Sequence, residues 1–214
     1  MLALSVVIAD DHQLVRNGLK QLLAQHNDLR VIADCATGTE TLRTLSSQHC
    51  HALLLDLSMS DMSGIDVLRH VRNQHPSVGV LVVSGFPERQ FGINVLRAGA
   101  HGFISKGADD KELLRAIRTV ARGGRYVGPE LADLLLGGET DGDELPRAPH
   151  MSLSDREFQI FCKLAEGRTV SEIAEKLFLS VKTISTYRSR ILEKMSMMTN
   201  ADLTSYALRH QLIP

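Results

Sequence analysis

The chain has 214 residues, with 24 Lys and Arg against 25 Asp and Glu, a formal net charge of −1 and 43% hydrophobic residues. That length allows one large domain or two smaller ones, and the composition is ordinary for a soluble globular protein. No apolar run approaches the roughly 18 residues of a membrane span, and no basic segment precedes the first apolar one, which argues against a spanning helix and against a secretory signal.

Charge is unevenly spread. Residues 1–135 carry 14 basic and 14 acidic side chains, residues 136–150 balance at −3 and residues 151–214 at +2. The acidic stretch LGGETDGDELPRAPH is also rich in Gly and Pro and lacks hydrophobic periodicity, so it reads as a flexible linker between two domains. Cys35, Cys50 and Cys162 are an odd, scattered set, which speaks against a disulfide framework and for a reducing, cytoplasmic setting. His49, Cys50 and His51 are too close in sequence to converge easily on one ion, and no second ligand pair stands at zinc-site spacing.

In chain order, SVVIA, RVIADC, HALLLD, VGVLVVS and GFISK predict five strands, each too short for an independent helix. Runs this apolar suit a parallel sheet covered on both faces. Between them, Leu14, Val15, Leu19, Leu22 and Leu23 follow helical spacing, as do Ile65, Leu68 and Val71, and later Leu113, Leu114 and Ile117. Five βα units with right-handed crossovers predict an α/β, doubly wound domain, whose functional site lies beyond the carboxyl ends of the strands. Asp10 and Asp11 close the first strand, Asp56 the third, Ser84 the fourth and Lys106 the fifth.

Three carboxylates in one cleft need a cation, and Mg²⁺, a hard ion that takes a few carboxylates together with water and phosphate oxygens, is the expected one. Asp56 is then placed to attack phosphorus, with Lys106 neutralising a phosphoryl oxygen and Ser84 donating to another. The constellation points to phosphoryl transfer onto a carboxylate.

IADDH, LLLDLSMSDMSGIDVL, VLVVSG and AGAHGFISKG resemble the receiver domain of two-component response regulators, over about residues 5–122. The resemblance implies that Asp56 is the phospho-acceptor and that Asp11 binds Mg²⁺ directly, with Asp10 nearby or through water. The backbone carbonyl of Ser58 is a further implied ligand, and Ser84 and Phe103 take the switch positions. The family usually has Pro where this chain has Ser60, which bears on backbone freedom beside the acceptor.

From Ser152 onward the pattern is helical. Thr169 with Glu172 fits a capping box, and Ser180 is the expected N-cap of the following helix. Two short helices joined by a tight turn form a helix-turn-helix. On the second, Val181, Ile184, Ile191 and Met195 share one side, expected to pack on Ile173, Ala174 and Leu177, while Lys182, Ser185, Thr186 and Ser189 fall opposite. An apolar back, a small hydroxyl-bearing front and basic flanks suit the major groove.

LSDRE, EG and SEIAEKLFLSVKTISTYRSRILEKM resemble the C-terminal domain of the NarL/FixJ (LuxR-type) regulators, from about Leu153 to His210. By that resemblance Lys182, Ser185, Thr186 and Ser189 face base edges, Tyr187, Arg188 and Arg190 contact phosphates, and ADLTSYALRH is a dimer contact. The expected organisation is a receiver over residues 1–122, a connecting segment and acidic linker over 123–150, and a DNA-binding domain over 151–214.

The expected function is a DNA-binding transcriptional response regulator of a two-component phosphorelay, activated by phosphorylation of Asp56 and dimerisation on DNA. Its expected partners are a sensor histidine kinase or phosphotransfer protein, double-stranded promoter DNA and a second copy, without a membrane. An alternative is a DNA-binding regulator whose receiver docks partners independently of phosphorylation. A Mg²⁺-dependent aspartyl phosphatase is disfavoured, because it needs a second acid two residues after the nucleophile, where this chain has Ser58; the chain is not expected to be an enzyme.

Overall fold

β-branched and leucine-rich runs form the centre of the first unit. The computed structural model describes residues 3–85, 88–136, 148–210 and 212–213, and the chain divides into units at residues 1–139 and 140–214. The strands are β1 (Leu4–Ala9), β2 (Leu29–Cys35), β3 (Ala52–Leu55), β4 (Gly79–Ser84) and β5 (Gly102–Ser105). They alternate with α1 (Gln13–Ala24), α2 (Gly38–Ser47), α3 (Gly64–Gln74), α4 (Glu88–Arg97) and α5 (Asp110–Ala121). All five strands are parallel, in the order β2-β1-β3-β4-β5. Both faces are buried, as the unbroken apolar runs predict. On one face Val6, Ile8, Leu54, Leu81 and Ile104 meet Leu19, Leu23, Leu113, Leu114 and Ile117. Val7, Leu53, Val80, Val82 and Phe103 alternate onto the other face.

Leu14 departs from the predicted stripe of α1 and is 85% exposed. Its neighbours one turn on are Asn17 and Gly18, so it lies on the polar side while Leu19 and Leu23 are buried. The acidic linker reading falls largely on residues 137–147, outside the described residues. The connecting segment before it is structured in part: Tyr126 bridges to Gly102, and α6 (Pro129–Leu136) packs on α4 with Leu131 fully buried.

The second unit is helical throughout its described residues. A short 3-10 turn (Pro149–Ser152) leads into α7 (Asp155–Ala165), α8 (Val170–Lys176), α9 (Val181–Lys194) and α10 (Asn200–Arg209). Ser154, Thr169, Ser180 and Thr199 each cap the helix that follows, and three of the four close a reciprocal capping box with Glu157, Glu172 or Asp202. Ile173, Ala174, Leu177, Ile184, Ile191 and Met195 are buried as expected. Val181 is not. It stands at the margin of the α9 stripe, in the first turn, and is 51% exposed.

Glu157 fastens α7 to α9. Only 4% exposed, it accepts from the Ser154 backbone N–H at 2.7 Å and from Lys194 Nζ at 2.7 Å. Burial alone would raise its carboxyl, but the bonds from Lys194 and Ser154 outweigh that and hold it below its ordinary range. An acid depressed on folding contributes stability that is present above its unfolded pKa and lost as pH falls through the folded value. Glu157→Gln is therefore expected to cost about 1 kcal/mol at neutral pH and to flatten the acid limb of stability below the ordinary carboxyl range, measured by amide hydrogen exchange in α7 and α9.

Candidate functional site

Strand register brings the acids together. Ala9 pairs with Leu55, so Asp10 and Asp56 leave the sheet side by side, and the Asp56 N–H donates to the Ala9 carbonyl at 2.8 Å. This is the point where strand order reverses, with β2 on one side of β1 and β3 on the other, and where open α/β sheets carry their sites. Lys106 enters from the far edge just after β5, its N–H bonded to the Ser84 carbonyl at 2.8 Å. Its ammonium spans the two acids, 2.7 Å from Asp10 Oδ2 and 2.9 Å from Asp56 Oδ2.

Asp10 and Asp56 are each 2% exposed. Burial pushes the Asp56 carboxyl above its ordinary range; Lys106 opposes that shift and Asp10 adds to it. Burial works against the Lys106 charge, but Asp56 and Asp10 outweigh it and hold the ammonium above its usual range. Asp11 is the more accessible member, and His12 Nδ1 lies 2.7 Å from Asp11 Oδ1 and 3.2 Å from Asp10 Oδ1.

Ligand atoms of Asp10, Asp11, His12 and Asp56 all lie within 4.8 Å of one another, and Asp56 Oδ1 is buried without a hydrogen-bond partner. Three converging carboxylates and an unpartnered buried oxygen form a hard-donor set that fits a divalent cation such as Mg²⁺. Ser84 and Phe103 are fully buried on adjacent strands, Ser84 at the end of β4 beside the Lys106 N–H and Phe103 near the start of β5, paired with Val82. Gly64 is required at the start of α3: a Cβ there would meet the Asp56 carbonyl at 2.4 Å.

Two contributors, Arg16 and Asp61, have partners too far along the chain for local pattern to reveal, and a third, His12, contacts its own neighbours Asp10 and Asp11. Arg16 donates to the Asp10 carbonyl at 2.7 Å and to Asp34 Oδ2 at 3.2 Å, holding the β1 exit from below. His12 is signalled only by its place after the acid pair, and Asp61 reaches back to α2. In the His49-Cys50-His51 triplet, Cys50 is fully buried. His51 Nδ1 accepts from the Ser5 N–H at 3.1 Å, and burial pushes the Cys50 thiol up to about 12.

The second candidate surface is α9. Lys182, Ser185, Thr186, Ser189 and Arg190 are exposed, whereas Tyr187 and Arg188 are half-buried. Arg188 Nε donates to Asn200 Oδ1 at 2.7 Å, which ties α9 to the start of α10. The Thr186 hydroxyl donates to the Lys182 carbonyl at 3.0 Å and the Ser189 hydroxyl to the Ser185 carbonyl at 3.1 Å. Both donors are thus satisfied within the helix, and the lone pairs face outward. Phe178, in the turn before α9, has φ 52° and is 77% exposed.

Residues 6–118 match the response regulator receiver domain, and residues 151–207 match the bacterial regulatory proteins of the luxR family. The chain is 35% identical over 210 residues to the response regulator GacA of Pseudomonas protegens, covering 97% of each. It is 36% identical to the oxygen regulatory protein NreC of Staphylococcus aureus, covering 98% of this chain and 99% of that one. Among solved structures it is similar to RcsB from Salmonella enterica serovar Typhimurium bound to promoter rprA in the presence of phosphomimetic BeF3⁻. That likeness has TM-score 0.66 and 26% identity, and covers 96% of this chain and 98% of that one.

Removing the ammonium between two buried acids leaves their repulsion uncompensated. Lys106→Met is expected to destabilise the first unit by about 3 kcal/mol, with most of the loss recovered when Asp56→Asn is added, as read by denaturant unfolding of both variants.

Proposed function

The chain belongs to the response regulators that join a receiver domain to a LuxR-type DNA-binding domain, and on that premise we propose that it is a transcription factor switched by phosphorylation at Asp56. The observation that carries the assignment is the buried Asp56 carboxylate, with Asp10 and Lys106 against it and one oxygen unpartnered. An Asp56 oxygen attacks the phosphorus of a phosphohistidine on a sensor kinase or phosphotransfer protein, or of a small acyl phosphate. The bond to the donor's leaving group breaks, and the phosphoryl group passes to the carboxylate. Asp10, Asp11, Asp56 and the Ser58 carbonyl would hold Mg²⁺, which neutralises charge on the phosphoryl oxygens when bound.

Phosphorylation adds charge where Lys106 already sits. The ammonium pairs with a phosphoryl oxygen, the Ser84 hydroxyl donates to another, and Phe103 carries the change along β5 to the outer face. Ser58 stands where an aspartyl phosphatase carries its second acid, which supports a switch over an enzyme acting on external phosphate esters.

On DNA, Lys182, Ser185, Thr186 and Ser189 face the bases of the major groove, while Tyr187, Arg188 and Arg190 hold phosphates. Dimerisation through α10, where Leu208 is 53% exposed, places two α9 helices on paired half-sites. RcsB in complex with promoter DNA supports this reading. No helix among the described residues is long and apolar enough to cross a membrane. DNA as partner and three buried free cysteines favour the cytoplasm.

With radiolabelled acetyl phosphate and Mg²⁺, the protein is expected to take up label and Asp56→Asn to take up none, with chelation of the metal abolishing uptake. Uptake by Asp56→Asn at the wild-type rate would overturn the assignment. In binding to DNA fragments selected by the protein itself, Arg190→Ala is expected to weaken all sequences alike and lower the salt slope by about one. Ser185→Ala is expected to relax preference at a single base position, checked by repeating the selection.

A further inference from the structure

The seven residues between Asp56 and Gly64 form the loop that carries Ser58, and both ends of that loop are fixed. Asp56 is bonded to Ala9, and Gly64 donates to the Leu57 carbonyl at 3.2 Å while pressing on the Asp56 backbone. The middle of the loop is held by Asp61. The Gly38 N–H donates to Asp61 Oδ1 at 2.7 Å and the Thr39 N–H to Asp61 Oδ2 at 2.9 Å. These are two of the first N–H groups of α2, which the helix itself cannot satisfy. A carboxylate there gains both charge-assisted bonds and the favourable end of the helix dipole.

The contact is close on every side. A Cβ at Gly38 would lie 2.8 Å from Val67 Cγ2 and 3.0 Å from the Met62 Cβ, so α2 starts directly against the loop and α3. Burial disfavours the Asp61 charge, but the bonds from Thr39 and Gly38 outweigh it and keep the carboxyl below its ordinary range, ionised at neutral pH. One residue earlier stands Ser60, where a proline ring would have restrained φ. The restraint that a ring would supply from within the loop is here supplied from outside it, by the bond to α2.

We propose that Asp61 is a positioning residue for the phosphoryl chemistry of Asp56: by tying the middle of the acceptor loop to the start of α2, it sets the lifetime of the aspartyl phosphate. The inference rests on Asp56 being the acceptor. In hydrolysis a water oxygen attacks phosphorus, the bond from phosphorus to the Asp56 oxygen breaks, and the carboxylate is regenerated as inorganic phosphate and a proton leave. A tethered loop keeps the backbone around Ser58 and Ser60 fixed against the phosphoryl group. An untethered one lets that backbone move off and admits water.

The test charges the full chain with radiolabelled acetyl phosphate and Mg²⁺, removes the donor and follows loss of label. Asp61→Ala is expected to lose label about fivefold faster than wild type, a change equivalent to about 1 kcal/mol in the barrier. Asp61→Asn, which keeps one acceptor oxygen, should fall between the two. Adding Ser60→Pro to Asp61→Ala should recover most of the lifetime, because it restores restraint without restoring the bond. Thr37→Ala is the control: it removes the side chain that caps α2 through the Glu40 N–H, at 3.1 Å, without touching the loop, and should decay like wild type. Wild-type decay in Asp61→Ala, or equal acceleration in Thr37→Ala, overturns the inference while leaving Asp56 as acceptor. Failure of wild type to take label at Asp56 overturns both.

Discussion

Two carboxylates buried side by side at the edge of a sheet cannot both stay ionised without help, and the first unit is organised around supplying that help. The parallel register of β1 and β3 forces Asp10 and Asp56 into contact, and a lysine delivered from the end of β5 stands between them. The ammonium is held above its usual range and the Asp56 carboxyl is pushed above its own, so the site is under electrostatic load. Any added cation relieves that load, and any added phosphoryl group redistributes it. A polar cluster that would count as a fault in a purely structural core is therefore the source of responsiveness.

Much of this was legible in the sequence, for a definite reason. A parallel strand covered on both faces must be apolar throughout, so the first polar residue after each run marks the edge where sites form. Asp10, Asp56 and Ser84 announced themselves in that way, and Lys106 stands one residue beyond the first polar residue of its run, Ser105. Capping was legible too, since Thr169 with Glu172 and the hydroxyl of Ser180 act on residues three positions away. Periodicity was weaker where it had to name a neighbour. It fixes an angle around the helix but not whether another element covers that angle, and Leu14 and Val181, both at first turns, are uncovered.

Contacts that close over long sequence separation left no local signal. Arg16 meets Asp34 across 18 residues, and Asp61 meets the start of α2 across 22 and 23. Helix α6 was hidden in what reads as connecting chain, because it is short and its fully buried Leu131 packs against α4 at Gly92. Helix α9 shows the complementary case. Its exposed hydroxyls are evident in sequence, but that Thr186 and Ser189 donate back to their own helix depends on side-chain rotamers that pattern does not report.

The hydroxyl caps of the second unit carry a further consequence. Every one of α7 to α10 opens on a Ser or Thr whose oxygen accepts from the backbone three residues on. Helix boundaries encoded at such short range need no instruction from a distant part of the chain. The unit is therefore portable: an evolving gene can splice it behind a different sensor half without redesigning it.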